Sequence, residues 1–244
     1  MSDDAIPAAT VILVREQEVG APELLMVVRA VDMAFAGGAW VFPGGRIDEA
    51  DRRMDESDGG ARVAAVREAL EETAIPVGLS PLPSPELSAE LQARLLDGSE
   101  LDQLLPPLRM QLDLDALIPL ARWVPKFHAK RRFDTLFFVA RAPDGDWVPN
   151  TVESECTGAH WVTAAEALER DRSSEIQLIF PTRRTLERLA QHGSFEAIVA
   201  DAESHPIEPI SPWLDEVDGE RFVTIPEGIG YPVTREKIDG LWRG

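Results

Sequence analysis

Near its start the chain carries short, unbroken apolar runs. Thr10–Val14 (TVILV) and Leu24–Val28 (LLMVV) are rich in β-branched residues, and the link between them holds Gly20 and Pro22. Runs of this kind bounded by turn formers predict the two strands of a β-hairpin. The stretch AGGAWVFPGG from Ala36 to Gly45 predicts a short strand at Trp40–Phe42 between glycine clusters. The period then changes. From Ala61 to Thr73, Val63, Val66 and Leu70 fall on one side of a helix and Glu68, Glu71 and Glu72 on the other. Residues 76–115 are rich in proline, leucine and acids, and predict short helices at Pro85–Leu96 and Ser99–Leu104 in an insertion covering one edge of the domain. Leu117–Trp123, Thr135–Ala140 and Ala159–Val162 read as further strands. The last leads into a helix at Ala164–Glu169, with Thr163 and Glu166 spaced as a capping box. Pro181–Gln191 reads as a closing helix with Arg183, Arg184 and Arg188 along it. Interleaved strands and helices without a G-x-G-x-x-G turn predict an α/β fold, a mixed sheet sandwiched between helices rather than a doubly wound dinucleotide fold. The expected division is a domain over residues 1–204, with a helical insertion at about 80–115, and an extended proline-containing tail over 205–244 that wraps the body or meets a partner.

Charge narrows the partners. Among 244 residues, 43 acidic against 24 basic side chains give a net charge of −19. This argues against sequence-independent nucleic-acid binding and against an anionic membrane surface. Cys156 is the single cysteine, which excludes an intrachain disulfide and a cysteine-rich zinc site. The first residues lack the basic region of a secretory signal, and no stretch reaches the roughly 20 apolar residues of a membrane helix, so cytoplasm is the expected compartment. A homodimer is left open.

The chemistry concentrates at Glu68, Glu71 and Glu72. They stand at i, i+3 and i+4, share one helix face, and repel each other. Two readings compete: a solvated acidic face, or a site for a hard cation such as Mg²⁺, which takes oxygen ligands. Gly44 and Gly45 upstream supply backbone that can approach a ligand closely. Arg67 is placed to pair with Glu71 at i+4, or to fasten the helix to this loop through Asp48, Glu49 or Asp51. Lys126, His128, Lys130, Arg131 and Arg132 form a dense basic cluster, either a solvated loop or an anion-docking loop. Trp40, Trp123, Trp161 and Cys156 read as core.

Gly45, Asp51, Arg67-Glu68, Ala69, Glu71-Glu72 and Ile75 follow in the order of a known signature, and the chain resembles the Nudix hydrolase family. Three departures stand out. Fifteen residues separate Asp51 from Arg67 where the signature has seven; Asp51 replaces a glutamate; Ala74 replaces the closing glycine. The FPGG before the box and the segment from Trp161 to Leu168 are also similar to the family. The resemblance implies a Nudix fold and a divalent-metal-dependent hydrolase of a diphosphate bond, using Mg²⁺ or Mn²⁺ and acting on a small nucleoside diphosphate derivative. It implies Gly44, Glu68, Glu71 and Glu72 as metal ligands, Glu71 and Arg67 in the catalytic machinery, and a glutamate outside the box, Glu155 with Glu153 in reserve. Arg29, Lys130 and Arg132 are the expected substrate contacts. Arg29, Gly38 and the enlarged box resemble the branch of peroxisomal coenzyme A diphosphatases, so CoA or acyl-CoA is the lead. ADP-ribose and nucleotide sugars are the alternatives, as is a Nudix-fold module that binds a nucleotide without cutting it.

Overall fold

The computed structural model describes residues 5–31, 36–125, 132–152 and 156–238. In chain order these form β1 (Ile6–Arg15), β2 (Glu23–Arg29), β3 (Trp40–Val41), β4 (Gly44–Arg46), α1 (Glu49–Met54), α2 (Ala61–Thr73), β5 (Leu79–Ser80), α3 (Pro85–Leu96), α4 (Leu101–Leu104), β6 (Gln111–Leu112), β7 (Ile118–Trp123) and β8 (Phe133–Arg141). They continue with β9 (Cys156–Thr163), α5 (Ala164–Arg172), α6 (Phe180–Leu189), α7 (Phe195–Ser204), β10 (Pro209–Ile210), β11 (Trp213–Val217), β12 (Glu220–Thr224) and β13 (Arg235–Lys237). The main sheet runs β10-β7-β8-β1-β2-β3, with β4 on β1 and β9 on β2.

Alternation along β1 explains its unbroken apolar run. Val11 and Leu13 share a core with Val63, Val66 and Leu70 of α2. Ile12 and Val14 share a second core with Leu186 of α6 and Ile198 of α7. A strand covered on both faces has no polar side to show. The mixed sheet between helical layers is the expected α/β architecture. The observed spans match at Ala61–Thr73 and Pro85–Leu96, and Thr163 and Glu166 form the predicted capping box.

The β1–β2 hairpin is a fork. The two strands pair at only Val14↔Leu24 and Arg15↔Glu23. Beyond that they diverge, and the glycine-rich segment fills the gap, with β3 on β2 at Val27↔Val41 and β4 on β1 at Ala9↔Gly45. The Val11 N–H donates to the Pro43 carbonyl at 2.9 Å in the crotch. This delivers Gly44 and Gly45 to the middle of the sheet's end.

Other elements depart from the expectation. The insertion packs on α2: Leu91 and Leu95 of α3 are buried in the α2 core. Ser88 Oγ donates to the Ala74 carbonyl at 2.6 Å, and Gln92 Nε2 to the carbonyls of Glu71 at 2.9 Å and Asn150 at 2.7 Å. The bonds to Ala74 and Glu71 satisfy carbonyls that the end of α2 leaves without intrahelical donors. The helix after Pro181 is followed by α7, capped by the Ser194 side chain, so it does not close the fold. Residues beyond 205 add β10 parallel to β7 and the antiparallel sheet β11-β12-β13, and Val223, Ile225 and Tyr231 enter the second core. The β11–β12 turn is Asp218-Gly219, both at positive φ, the Asp-Gly hairpin signal that the reading of this stretch as an extended tail passed over. Among the described residues no helix is long and apolar enough to cross a membrane.

Candidate active site

Helix α2 starts at Gly60 in the left-handed region, where the Ala61 N–H donates to Asp58 Oδ1 at 2.8 Å. It ends at Ala74, also left-handed with φ 55°. The helix is covered nearly all round: Arg67 is 9% exposed and Glu72 6%. The side chains of Glu68 and Glu71 are 12% and 17% exposed, so the solvated-face reading of these acids is wrong. What covers them is the glycine segment. The Gly44 N–H donates to Glu72 Oε2 at 3.0 Å. A Cβ on Gly45 would collide with the Glu68 carboxylate, and one on Gly44 would lie 2.5 Å from the Ala9 carbonyl. The two glycines are therefore required by close approach.

Arg67 organises the cluster. Its Nε–H donates to Asp51 Oδ1 at 3.0 Å. One terminal nitrogen bonds Glu68 Oε1 at 2.8 Å and Glu71 Oε2 at 3.0 Å. The other bonds the Arg46 carbonyl at 2.7 Å and Asp51 Oδ2 at 2.9 Å. All five guanidinium N–H groups are used. Burial works to lower the Arg67 pKa, but the Asp51 hydrogen bond and the charges of Glu68 and Glu71 outweigh it and hold it above the ordinary arginine value. Asp51, 2% exposed, is thus the anchor; Asp48 stands farther off at 3.8 Å. Part of the residues inserted between Asp51 and Arg67 extends α1, whose N-cap is Asp48, so the enlarged box leaves the Asp51–Arg67 bond intact.

One positive charge faces three carboxylates here, an arrangement that favours further positive charge. The donors are carboxylate and backbone oxygens, hard ligands suited to Mg²⁺ or Mn²⁺. Mg²⁺ is commonly held by one or two carboxylates, with water and phosphate oxygens completing the shell, so a closed cage is not required; among the described residues none is formed. The residues present fit such an ion.

The structure brings Arg29, Gly44, Arg67, Glu68, Glu71 and Glu72 to one cavity of about 520 Å³. Arg29 Nε is buried with no hydrogen-bond partner. Arg132 does not line the cavity; its carbonyl accepts from the Ile6 N–H at 2.8 Å beside the start of β8. Lys130, Glu155, Glu153, Lys126, His128 and Arg131 lie outside the described residues. Cys156 and Trp40 are buried as expected, and Trp161 is half-buried with the Arg15 guanidinium 4.3 Å over its ring. Trp123 is both core and cavity wall. The sequence reading missed the apolar part of the lining, formed by Phe133 and Phe137 of β8 with Ile179 and Pro181 at the start of α6. Only the i, i+2 alternation Phe133, Thr135, Phe137 hinted at it.

The model of the NUDIX domain family matches residues 5–107. These residues are a NUDIX domain. A NUDIX hydrolase structure from Alicyclobacillus acidocaldarius is similar over 82% of this chain and 97% of that one, with 27% identity and a TM-score of 0.70. Its coverage carries the likeness past the matched segment and across the sheet. Acyl-coenzyme A diphosphatase NUDT19 of Homo sapiens is 26% identical over 252 aligned residues, 78% of this chain and 66% of that protein. The chain thus spans just under two thirds of that relative's length. Within the NUDIX domain, Ala74 at the place of the closing glycine keeps the left-handed backbone a glycine would adopt without strain.

Proposed function

We propose that the chain is a Nudix-type pyrophosphohydrolase that cleaves the diphosphate bond of a nucleoside diphosphate linked to a second group. The observation that carries this reading is the cavity itself, lined by Glu68, Glu71 and Glu72 of α2 and by Trp123 and Phe137, which belong to the core on the other face of the sheet. A hard divalent cation held by these glutamates and the Gly44 carbonyl would neutralise diphosphate oxygens and lower the pKa of a bound water. The protein's own part is positioning. Glu72 is aimed by the Gly44 N–H, and Glu68 and Glu71 by Arg67, whose role is to hold the carboxylates. Arg29, a cation in the cavity lining, is set to bind a phosphate oxygen. Glu155 as assisting base and Lys130 as a further anion contact belong to this reading; Arg132, outside the cavity lining, does not. CoA or acyl-CoA is the preferred substrate class, supported by the enlarged box and by the 26% identity to an acyl-CoA diphosphatase.

A Mg²⁺ and Mn²⁺ screen over CoA, acyl-CoA, ADP-ribose, NADH, nucleotide sugars and diadenosine polyphosphates tests it. Two monophosphate products are expected, with activity abolished by chelation and restored by Mg²⁺. Much faster cleavage of ADP-ribose or a nucleotide sugar than of CoA would reject the CoA preference alone. Phosphate release from simple monoesters without diphosphate cleavage would reject the whole reading.

A further inference from the structure

The apolar end of the cavity is held in place by residues distant in sequence from the glutamates. Trp123, at the end of β7, lines this end and is 1% exposed. Its Nε1–H donates to Tyr231 Oη at 3.0 Å, and the two rings meet edge to face with centroids 5.5 Å apart. Tyr231 lies between β12 and β13, in the segment beyond the α7 helix, and is itself buried. The Arg188 guanidinium stands 5.4 Å over the Tyr231 ring. Arg188 is fixed in turn by Asp201 at 2.6 Å and by the Leu120 carbonyl of β7 at 3.1 Å. Gly230 approaches Arg188 so closely that a Cβ would sit 2.7 Å from its Nε. The C-terminal segment therefore docks on the back of the cavity wall through a side chain that also satisfies the indole N–H of Trp123. A buried indole N–H needs an acceptor, and deleting that acceptor makes the ring turn to find another or stay unpaired.

We propose that Tyr231 is a positioning residue for substrate. By orienting Trp123 it shapes the apolar end of the cavity to take the organic group of a diphosphate ester, while the glutamate end takes the diphosphate. The proposal rests on the diphosphate reading above for the ligand class. The volume supports two occupants: about 520 Å³ lies in the range of pockets that bury a whole cofactor-sized ligand.

The test compares two ligands that share the diphosphate. Inorganic diphosphate reaches only the glutamate end; the organic diphosphate that binds best among CoA, ADP-ribose and ADP reaches both. Calorimetric Kd values are measured for each, with Ca²⁺ in place of Mg²⁺ to slow turnover, on the full chain and on Tyr231→Phe. The organic ligand is expected to weaken about fivefold or more, with inorganic diphosphate within about twofold. Trp123→Phe and the double variant Tyr231→Phe/Trp123→Phe complete a double-mutant cycle. If Tyr231 acts through the Trp123 ring, the two losses of organic-ligand affinity do not add, and the double variant binds the organic ligand about as weakly as Trp123→Phe alone. If Tyr231→Phe does not fold, Trp123→Phe gives the same pair of titrations. Equal weakening of both ligands, no change in either, or fully additive losses in the double variant would overturn the proposal. Selective weakening in a protein that binds but never hydrolyses the ligand would remove the hydrolase reading and keep Tyr231 in its role.

Discussion

Two arginine-centred clusters sit at opposite faces of the sheet and solve the same electrostatic problem differently. At α2, Arg67 spends all five donors on Asp51, Glu68, Glu71 and the Arg46 carbonyl. At α6, Arg183 bonds Asp171 at 2.8 Å and Glu236 of β13 at 2.6 Å, and Arg184 bonds Glu187 at 2.8 Å and Glu236 at 2.9 Å. Nε and one terminal nitrogen of Arg184 are buried without partners. Burial pushes the Glu187 carboxyl up to about 7, opposed by Arg184 and reinforced by Glu236. Burial likewise lowers the Arg184 pKa, against the pull of Glu187 and Glu236. With a proton on Glu187, the two arginines face two charged carboxylates and the cluster balances. At α2, one guanidinium faces three carboxylates, and a cation is the fitting complement. The α6 cluster, which can balance through a proton, docks the chain's end, whereas the α2 cluster, with one guanidinium among several carboxylates, suits a cationic ligand.

The largest effect expected is on stability. Arg67→Ala leaves Asp51 buried and unpaired, so it should cost about 3–5 kcal/mol in chemical denaturation as well as most activity. Arg184→Ala should cost clearly less, because Glu187 can take up a proton; equal losses would erase the contrast between the clusters. Glu72→Gln and Glu68→Gln come next, with turnover falling on the order of 10²-fold while the far-ultraviolet circular dichroism stays that of the folded protein. Undiminished rates in both would leave α2 a structural helix.

The third effect depends on pH. Glu187 titrates near 7 in the folded chain against 4.5 as its ordinary value. The folded state thus binds the proton more tightly, so this group's stabilising share is full below about 4.5 and is lost as pH rises through 7. Glu187→Gln should therefore gain Tm relative to the unsubstituted protein more at pH 8 than at pH 5. A difference constant with pH would show that Glu187 is ionised throughout. The smallest effect is Ala74→Gly, which relieves a left-handed alanine at the end of α2 and should stabilise by roughly 0.5–1 kcal/mol. A loss instead would mean that the buried Ala74 methyl outweighs the backbone strain.

The α2 helix and the glutamates on it were legible because they depend on local periodicity and on spacing within one helix. The two glycines were legible as a feature, and their cause, collision with Glu68 and with β1, emerged only from the fold. The cavity wall was not legible: Trp123, Phe133, Phe137 and Pro181 converge only through the pairing of β7, β8 and β1 and the docking of α6. The amphipathic split of α2 left two readings of its acidic face open. The side chains opposite the Val63–Leu70 face meet the β4 segment, which removes the solvated-face reading. Helix α7 was missed because its ten residues are short and weakly periodic, although Ser194 caps it visibly.

The brief strand β10 has a consequence for solubility. It lies on the outer edge of β7, where the Val124 N–H donates to the Ile210 carbonyl at 2.8 Å and Ser211 Oγ to the Val124 carbonyl at 2.9 Å. Pro206, Pro209 and Pro212 punctuate this segment, and proline has no backbone N–H to offer a further strand. The edge is thus occupied by a strand that is a poor template for another chain. Truncation at residue 205 would bare the backbone groups of β7 beside the Trp123 ring and turn a guarded border into a seed for edge-to-edge aggregation.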